Sequence, residues 1–319
     1  MNTIEQEFQH ILENREPANL YNPIAYILLQ PGKRLRPKLV HLVVEMFGGS
    51  EKQAQILAMA FEMLHNFTLI HDDIMDVAPL RRGKETVYKK WNSNIAILSG
   101  DALAIMAFQQ LLKLDCEDRI ILDIAKVFSQ TSLEICEGQQ YDLDFETQKD
   151  VSQEDYILMI RKKTAVMFAG CLKSAAILMS ADEESTQALY NFGIHLGIAF
   201  QLADDVLDVY ATSTAFGKTI GGDIRDNKKT YLYLKALEDA DAEQKKTLED
   251  LFAVPTTDFE LKYKIVRGIY DDLKIKEYTE NQIKRYLDLA IADLEKVHIA
   301  EEKKFAFYDL VNQQVDRKK

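Results

Sequence analysis

Two short acidic strings, DDIMD at residues 72–76 and DDVLD at residues 204–208, carry the side chains of this chain that best suit metal binding. In each string the carboxylates stand at the first, second and fifth positions. On a helix the first and fifth residues lie one turn apart on the same face, so each string offers a pair of neighbouring carboxylates. Aspartates this close repel one another unless a cation lies between them. Mg²⁺ suits such a site, because it binds a few carboxylates and completes its coordination with water and substrate phosphate.

The second string changes the interpretation of the first. With 51 aspartates and glutamates in 319 residues, a single acidic string would more simply be a solvated helix face. The second string, however, follows an apolar lead-in at residues 199–203 that is similar to the lead-in of the first. Two such clusters facing each other would hold one diphosphate through bridging metal ions. That arrangement would ionise an activated organic diphosphate.

Three basic segments supply cations for phosphate groups. The sequence GKRLRP at 32–37 places three cations within four residues, just before a predicted helix. The arginine pair at 81–82 follows the first acidic string after a turn at Pro79. The glycine- and lysine-bearing segment at 216–229 follows the second string, and we interpret it as a flap that closes over phosphates. Arginine and lysine are the usual phosphate partners in proteins.

Composition excludes several functional classes. The formal net charge of -12 and the pI of about 5.1 argue against a nucleic-acid surface and favour a soluble, cytoplasmic protein. We expect no signal peptide and no membrane span, since the apolar stretch at 95–108 is interrupted by Asp101. The three cysteines lack metal-ligand spacing, and we expect them to be reduced and structural.

The placement of proline predicts an all-α protein. No proline lies between Pro79 and Pro255, and helix-forming residues are frequent in that stretch. Apolar residues recur at intervals of three or four before each acidic string, from Ala60 to Ile74 and from Leu189 to Tyr210. We therefore expect one all-α domain over residues 1–319. Further helices are predicted near 2–14, 34–46, 95–113, 118–145, 153–179, 258–272, 275–297 and 302–314.

Taken in order, these segments resemble the trans-isoprenyl diphosphate synthases of the polyprenyl synthetase family. GKRLRP, HDDIMD with LRRG, KT, FQLADDVLD, and FGK with GGD follow one another as in that family, over residues 30–230. The resemblance implies a single-domain bundle of antiparallel helices around a deep central cavity, the isoprenoid synthase type, assembled as a homodimer. It also implies condensation of an allylic diphosphate with isopentenyl diphosphate, with about three Mg²⁺ ions per active site.

The resemblance assigns roles to individual residues. The metal ligands it implies are Asp72, Asp73, Asp76, Asp204, Asp205 and Asp208. The residues implied to contact the allylic diphosphate are Arg81, Lys163, Lys218 and Lys228. Those implied for the diphosphate of isopentenyl diphosphate are Lys33, Arg36, His65 and Arg82. Thr164 and Gln201 correspond to polar groups beside the forming carbocation, and Gln139 and Asp142 to residues that line the cavity.

The resemblance also implies that residues before the first acidic string determine the length of the product. The growing chain would pass along this helix, whose turn of about 5.4 Å is comparable to an isoprene unit. Phe67 would then be the floor of the cavity, with Leu64 one turn deeper and the small Thr68 leaving room beside the ring. A single aromatic here, without an insertion in the first motif, resembles geranylgeranyl-forming enzymes more than farnesyl-forming ones. The alternative is that Phe67 only packs against a neighbouring helix.

Two rival functions share parts of this pattern. A class I terpene cyclase has one DDxxD string, but its second metal motif normally mixes Asn, Ser or Thr with Glu. A non-catalytic regulatory subunit typically loses aspartates from one string, whereas all six are present here. The chain also departs from the family pattern at Tyr88, at Trp91–Ser93 and at Asp226–Asn227, where a glycine usually precedes the lysine. The last difference predicts a stiffer segment before Lys228.

Overall fold

The helices begin and end at residues that satisfy their free backbone groups. The computed structural model describes residues 3–211, 220–253 and 258–315, with residues 314 and 315 described by their backbone only. Thr3 and Ser152 form capping boxes with the third residues of their helices. Ser50 and Asn92 accept a hydrogen bond from a backbone amide of the first turn in the same way.

Helices make up 79% of the structure. The α-helices are α1 Ile4–Leu12, α2 Ala18–Leu28, α3 Leu35–Met46, α4 Glu51–Met75, α5 Val87–Lys90, α6 Ser93–Leu111, α7 Asp118–Thr147, α8 Gln153–Ile160, α9 Val166–Leu178, α10 Glu183–Tyr210, α11 Gly222–Arg225, α12 Tyr231–Asp239, α13 Ala242–Ala253, α14 Phe259–Asp272, α15 Ile275–Glu295 and α16 Phe305–Val315. A 3₁₀ helix spans Glu301–Lys304, and a π-helical turn spans Arg161–Ala165 between α8 and α9.

The chain forms two compact units. The first contains Met1–Ser132, Gly170–Tyr190 and Val297–Lys303, and the second contains Leu133–Ala169, Asn191–Lys296 and Lys304–Lys319. In the first, α4 packs between α3 and α6 and buries an apolar face that includes Leu57, Phe61 and Ile70. In the second, Phe192 of α10 packs edge-on against Phe307 of α16 at 5.5 Å between ring centroids. The single domain over 1–319 stays a prediction.

Several elements differ from the sequence-based expectations. Helix α2 forms although Pro23 lies inside it. The helix predicted over 153–179 is instead divided into α8, the π turn and α9. A two-stranded hairpin, β1 Leu80–Arg81 and β2 Lys84–Glu85, follows α4, with Leu80 opposite Glu85. Apolar periodicity does not detect a proline inside a helix, a local helix irregularity or a very short strand. The short helices α5 and α11 and the longer helices α12 and α13 were also not among the predicted helices.

Helix α6 has an unusual exposed surface. Among the described residues, α6 is the one helix that is long and apolar enough to cross a membrane by length and composition. In its apolar stretch of 18 residues, 44% is buried. Core helices of other proteins pass the same test. Leu98, Ile105 and Leu112, each seven residues apart, are 60%, 61% and 69% exposed. Their spacing places them along one side of the helix.

Candidate active site

The first acidic string lies at the end of α4, and its three aspartates differ in exposure. Asp73 is only 1% exposed. Its carboxylate accepts hydrogen bonds from Arg81 Nε at 2.9 and 3.0 Å and pairs with Arg81 Nη2 at 2.8 Å. Burial raises the pKa of Asp73, and the hydrogen bond and charge of Arg81 partly offset this. Asp72 is half-buried and Asp76 is exposed, so the outer two carboxylates remain accessible while the middle one holds Arg81.

The hairpin after α4 brings a second arginine against the GKRLRP segment. Arg82 and Gly83 both have positive φ, 52° and 75°, as a tight two-residue hairpin turn requires. Arg82 Nη1 donates a hydrogen bond to the carbonyl of Pro31 at 3.2 Å. A Cβ atom on Gly32 would lie 2.7 Å from the same Nη1. Gly32 therefore permits the close contact between the hairpin and this segment.

Arg34 organises the basic segment from within. It precedes α3 with a left-handed φ of 46°. Its guanidinium bonds Glu5 at 2.9 Å and the buried Glu62 at 2.5 Å, and donates to two backbone carbonyls at the end of α2. Because these contacts occupy the guanidinium, Arg34 serves the structure, while Lys33 and Arg36 on either side of it are the predicted phosphate ligands.

His65 lies among these arginines as a neutral group. Its pKa is held well below the usual value, first by burial and then by Arg36, Arg81 and Arg82. A neutral imidazole adds no repulsion to the arginines and retains an N–H that can bond a phosphate. The four residues predicted for the second diphosphate, Lys33, Arg36, His65 and Arg82, all belong to the first unit.

The second acidic string lies on α10 and repeats the pattern of the first. Asp205 is 3% exposed. It accepts a hydrogen bond from the Tyr156 hydroxyl at 2.6 Å and from Gln201 Nε2 at 3.1 Å. Burial raises the pKa of Asp205 well above its usual value, and nearby Asp223 adds to the rise. Asp204 and Asp208 are half-buried, so here too the outer carboxylates are the accessible pair.

The polar groups predicted beside the carbocation connect to this string. The Thr164 hydroxyl donates to Gln201 Oε1 at 3.1 Å, and Gln201 in turn bonds Asp205. Lys163 Nζ pairs with Asp142 at 2.5 Å. Gln139 is 7% exposed, and neither its amide oxygen nor its amide nitrogen has a hydrogen-bond partner within the protein. An unsatisfied buried amide of this kind is typical of a position that bonds a ligand or an ordered water.

Lys163 and Thr164 lie in the π-helical turn, and two glycines allow neighbouring helices to approach it. A Cβ atom on Gly138 of α7 would lie 2.2 Å from the Lys163 backbone nitrogen. A Cβ atom on Gly197 of α10 would lie 2.4 Å from the Ala165 Cα. Since real Cβ atoms do not approach other atoms so closely, any larger residue at either glycine would displace the turn. π-Helical turns are frequently found at functional sites, and this one carries two of the predicted site residues.

The segment after the second string is bonded to Asp208. Gly221 N–H donates to the Asp208 carbonyl at 2.6 Å, and Asp223 N–H donates to Asp208 Oδ2 at 3.0 Å. The N–H of Lys228 donates to the Asp223 carbonyl at 2.9 Å. Two hydrogen bonds to Asp208 thus connect this segment to the acidic string, and a third, within the segment, connects Lys228 to Asp223. Lys218, predicted from the same segment, lies outside the described residues.

The donor set fits a metal ion that also binds water and phosphate. In the parts of the chain that the structure describes, no group of three or more His, Cys, Asp and Glu side chains is placed so that it could hold a metal ion. Each string instead offers two accessible carboxylates one helical turn apart. Mg²⁺ is commonly bound by one or two carboxylates together with substrate phosphates, so the residues present suit it.

The residues predicted to limit product length lie on α4 in the first unit. Phe67 is partly exposed and packs edge-on against His71, with 4.9 Å between the ring centroids. His71 Nε2 lies 3.2 Å from the carbonyl of Ile97, and a Cβ atom on Gly100 would lie 2.3 Å from that nitrogen. Leu64 is buried, and the Thr68 hydroxyl donates to the His65 carbonyl at 2.8 Å.

Sequence reasoning did not identify several residues of this site. Tyr156 is 49 positions from the aspartate that it bonds, and no local pattern marks it. Gly138 and Gly197 lie within helices, where a glycine signals only a weak propensity. The one signal available in the sequence was the presence of glycine inside predicted helices. Glycine is unfavourable there, so its presence often indicates that another segment packs closely against that position.

Comparison with known proteins identifies the family of this chain. The polyprenyl synthetase family model matches residues 17–269. The chain belongs to the polyprenyl synthetase family. It is 41% identical over 235 residues to a geranylgeranyl diphosphate synthase from Methanosarcina mazei, covering 74% of this chain and 72% of the relative. It is 38% identical over 276 residues to a geranylgeranyl diphosphate synthase from Saccharolobus solfataricus, covering 84% and 81%.

Solved structures support the same assignment. A crystal structure of a geranylgeranyl pyrophosphate synthase superposes with a TM-score of 0.93 at 43% identity, over 100% of both chains. These comparisons confirm the predicted polyprenyl synthetase family, the all-α isoprenoid synthase fold and the prenyltransferase class. The roles of the individual site residues remain predictions.

Replacing Gly138 by alanine tests whether the π turn needs this close approach. We expect the added methyl group to displace Lys163 and Thr164 and thereby to lower kcat/KM by about 10- to 100-fold, because small misplacements of catalytic groups have effects of this order. Steady-state prenyl transfer is the measurement. Gly268→Ala on α14 is the matched control, because a Cβ atom there meets nothing within 4 Å. Equal activity of the two variants would contradict the role given to Gly138.

Proposed function

We propose that this protein is a Mg²⁺-dependent prenyltransferase that condenses isopentenyl diphosphate with an allylic diphosphate and forms geranylgeranyl diphosphate in preference to farnesyl diphosphate. One observation carries the proposal. In both acidic strings the middle aspartate is buried against the protein, and the outer two are accessible one helical turn apart. A group of cations separate from the metal ligands is available for a second diphosphate.

The allylic diphosphate is the group that must leave. Asp72, Asp76, Asp204 and Asp208 would hold the Mg²⁺ ions on it, with Asp73 and Asp205 assisting from their buried positions. When bound, Mg²⁺ neutralises the negative charge that the departing diphosphate gains. Further positive charge would come from Arg81, Lys163, Lys218 and Lys228. This charge lowers the barrier to breaking the allylic C–O bond.

Isopentenyl diphosphate needs a separate site because it must stay intact. Lys33, Arg36 and Arg82 would bind its diphosphate as cations, and the neutral His65 would donate a hydrogen bond. The ion pair between Arg34 and Glu62 keeps the segment in place. Binding through the diphosphate leaves the C=C bond of this substrate available to attack the allylic carbon.

The carbocation is protected by what surrounds it. Thr164 and Gln201 present oxygen dipoles near the forming positive charge, and their mutual hydrogen bond fixes those oxygens. Attack by the C=C bond forms the new C–C bond, and the resulting cation loses a proton. The released diphosphate is the proposed base. Apolar helix faces exclude water, which would otherwise capture the cation as an alcohol.

A terpene cyclase would need only one diphosphate site. The arginines of GKRLRP and Arg82, which lie near His65 in the first unit, favour condensation because they would serve a second diphosphate. A non-catalytic regulatory role is disfavoured because all six aspartates are present. We also propose a cytoplasmic location, supported by the acidic net charge.

The direct test uses purified protein with Mg²⁺, isopentenyl diphosphate and a panel of allylic primers, with products separated by chromatography. Asp204→Ala should lower turnover at least about 100-fold, because it removes a proposed ligand of the Mg²⁺ ions that would stabilise the leaving diphosphate. The helix content measured by circular dichroism should not change. Asp288→Ala, at an exposed aspartate of α15, is the matched control. Near-normal product formation by Asp204→Ala would refute the assignment.

The product length should depend on Phe67. We expect Phe67→Ala to shift the products from geranylgeranyl to longer diphosphates, because removal of the ring opens about one helical turn, 5.4 Å, for a further isoprene unit. Chain-length analysis by chromatography is the measurement. Phe305→Ala, at a phenylalanine that is 59% exposed, should leave the product distribution unchanged. An unchanged distribution in Phe67→Ala would mean that Phe67 only packs against its neighbours.

We further propose a homodimer, supported by the exposed face of α6. Asp101 lies between Leu98 and Ile105 on this helix, and its side chain is 60% exposed. A charge at this position is costly in lipid but tolerable at the edge of a protein interface. A second copy of the chain is therefore the proposed occupant of this face.

Charge on this face should separate the dimer. Light scattering after size exclusion should give the native protein twice the 36.6 kDa of one chain. The double variant Leu98→Glu/Ile105→Glu should give a single chain's mass, because buried like charges oppose association. Leu261→Glu on α14, where the leucine is 54% exposed, should remain dimeric. A native monomer, or a dimer that persists in the double variant, would contradict this interface.

A further inference from the structure

Lys262 is a buried lysine that the proposed mechanism does not use. It lies in the first turn of α14 and is 1% exposed. Its ammonium group contacts the Asn227 side-chain oxygen and lies 4.6 Å from the centroid of the Phe252 ring. Burial lowers the pKa of Lys262, and Asp226 opposes this. Lysine is almost never fully buried without a partner, so its position requires an explanation.

Asn227 has a special place at the end of α11. Its φ is 58°, a conformation that glycine usually supplies after a helix. The N–H of Lys228 donates to the Asp223 carbonyl at 2.9 Å, and the N–H of Asn227 lies 3.4 Å from the Ile224 carbonyl. These two bonds form the Schellman pattern that ends a helix. Glycine would allow this turn but could not accept a hydrogen bond from Lys262, as the Asn227 side chain does.

The side chain of Lys229, which follows Lys228, also bonds to a neighbouring helix. Lys229 Nζ donates to the carbonyl of Phe145 at 2.7 Å, near the C-terminal end of α7, where a cation is favourable. At the start of the same segment, Asp223 N–H bonds Asp208. The backbone on both sides of Lys228 is therefore connected to a neighbouring helix, on one side through Asn227 and on the other through Lys229.

We propose that the Asn227–Lys262 contact is a positioning pair, which fixes the turn that presents Lys228 to the diphosphate. Asn227 adopts the left-handed conformation that a glycine would adopt more easily, and its hydrogen bond with Lys262 stabilises that conformation. The buried ammonium makes the contact difficult to break, because without the amide oxygen it would lose a hydrogen-bond acceptor away from water. The link to substrate rests on the proposed function, whereas the fixing of the turn does not.

The first measurement is hydrogen exchange at the Lys228 amide, which reports on the turn without any substrate. Asn227→Gly keeps the backbone conformation and removes the acceptor, and Lys262→Met removes the charge but keeps the length of the side chain. Each should increase the exchange rate by about 10-fold, as expected for loss of a hydrogen bond to a charged group. Lys264→Met, at an exposed lysine of the same helix, is the control. Unchanged exchange in both variants would overturn the proposal.

The second measurement separates positioning from general stability. Both variants should raise KM for the allylic diphosphate by about 10-fold and also lower kcat, since Lys228 is proposed both to bind that diphosphate and to stabilise it as it leaves. KM for isopentenyl diphosphate should change by less than about 2-fold, because Lys228 is not assigned to that substrate. The double variant should be no worse than either single one, because the two residues act through one contact. Asn227→Asp retains an acceptor and should keep the native KM.

The two measurements distinguish the possible failures. Faster exchange with an unchanged KM would overturn the link between the pair and the diphosphate. Additive effects in the double variant would show that the residues act independently, which would also overturn the pair. Were the protein to form no prenyl product at all, the proposed function would fail, while the exchange rates would still decide whether the pair fixes the turn.

Discussion

The neutralisation of closely spaced carboxylates is the constraint on which the site depends. Each acidic string places three aspartates within one turn of helix, and each buries the middle one. Asp73 meets a guanidinium and Asp205 meets a tyrosine hydroxyl and an amide, so the protein satisfies the charge that cannot reach solvent. The outer aspartates, which are more exposed, are the ones proposed to hold a metal ion. The two buried carboxylates also orient residues predicted to act on the substrate, because Asp73 holds Arg81 and Asp205 holds Gln201.

Sequence patterns predicted what depends on periodicity and composition. The all-α fold, the long helices that carry both acidic strings and the family of the chain follow from residues that lie close together in sequence, and all three are confirmed. The difference between the aspartates of one string was not predictable. Burial of Asp205 depends on Tyr156, which reaches it from another helix, and a local pattern contains no information about that approach.

Departures from regular helix geometry were missed for a related reason. The π turn at Arg161–Ala165 inserts an extra residue without changing the apolar character of the sequence, so periodicity predicts one continuous helix. Its stability depends on how closely Gly138 and Gly197 let α7 and α10 approach, which is a property of three segments together. The hairpin after α4 has only two residues in each strand, too few for an alternating pattern to appear. In both cases the irregular backbone carries predicted site residues.

At Asp226–Asn227, the turn before Lys228 is stabilised by an asparagine with a side-chain contact, where the family usually has a conformationally free glycine. A glycine before the lysine would leave the unfolded chain more freedom and contribute no contact in the folded state. Asparagine tolerates the same left-handed conformation at a modest cost and adds an acceptor. That acceptor would be of little use at a solvated surface, where water competes for it. Next to a lysine that is 1% exposed it completes a buried contact. The two residues therefore depend on each other, and the turn that carries Lys228 depends on both.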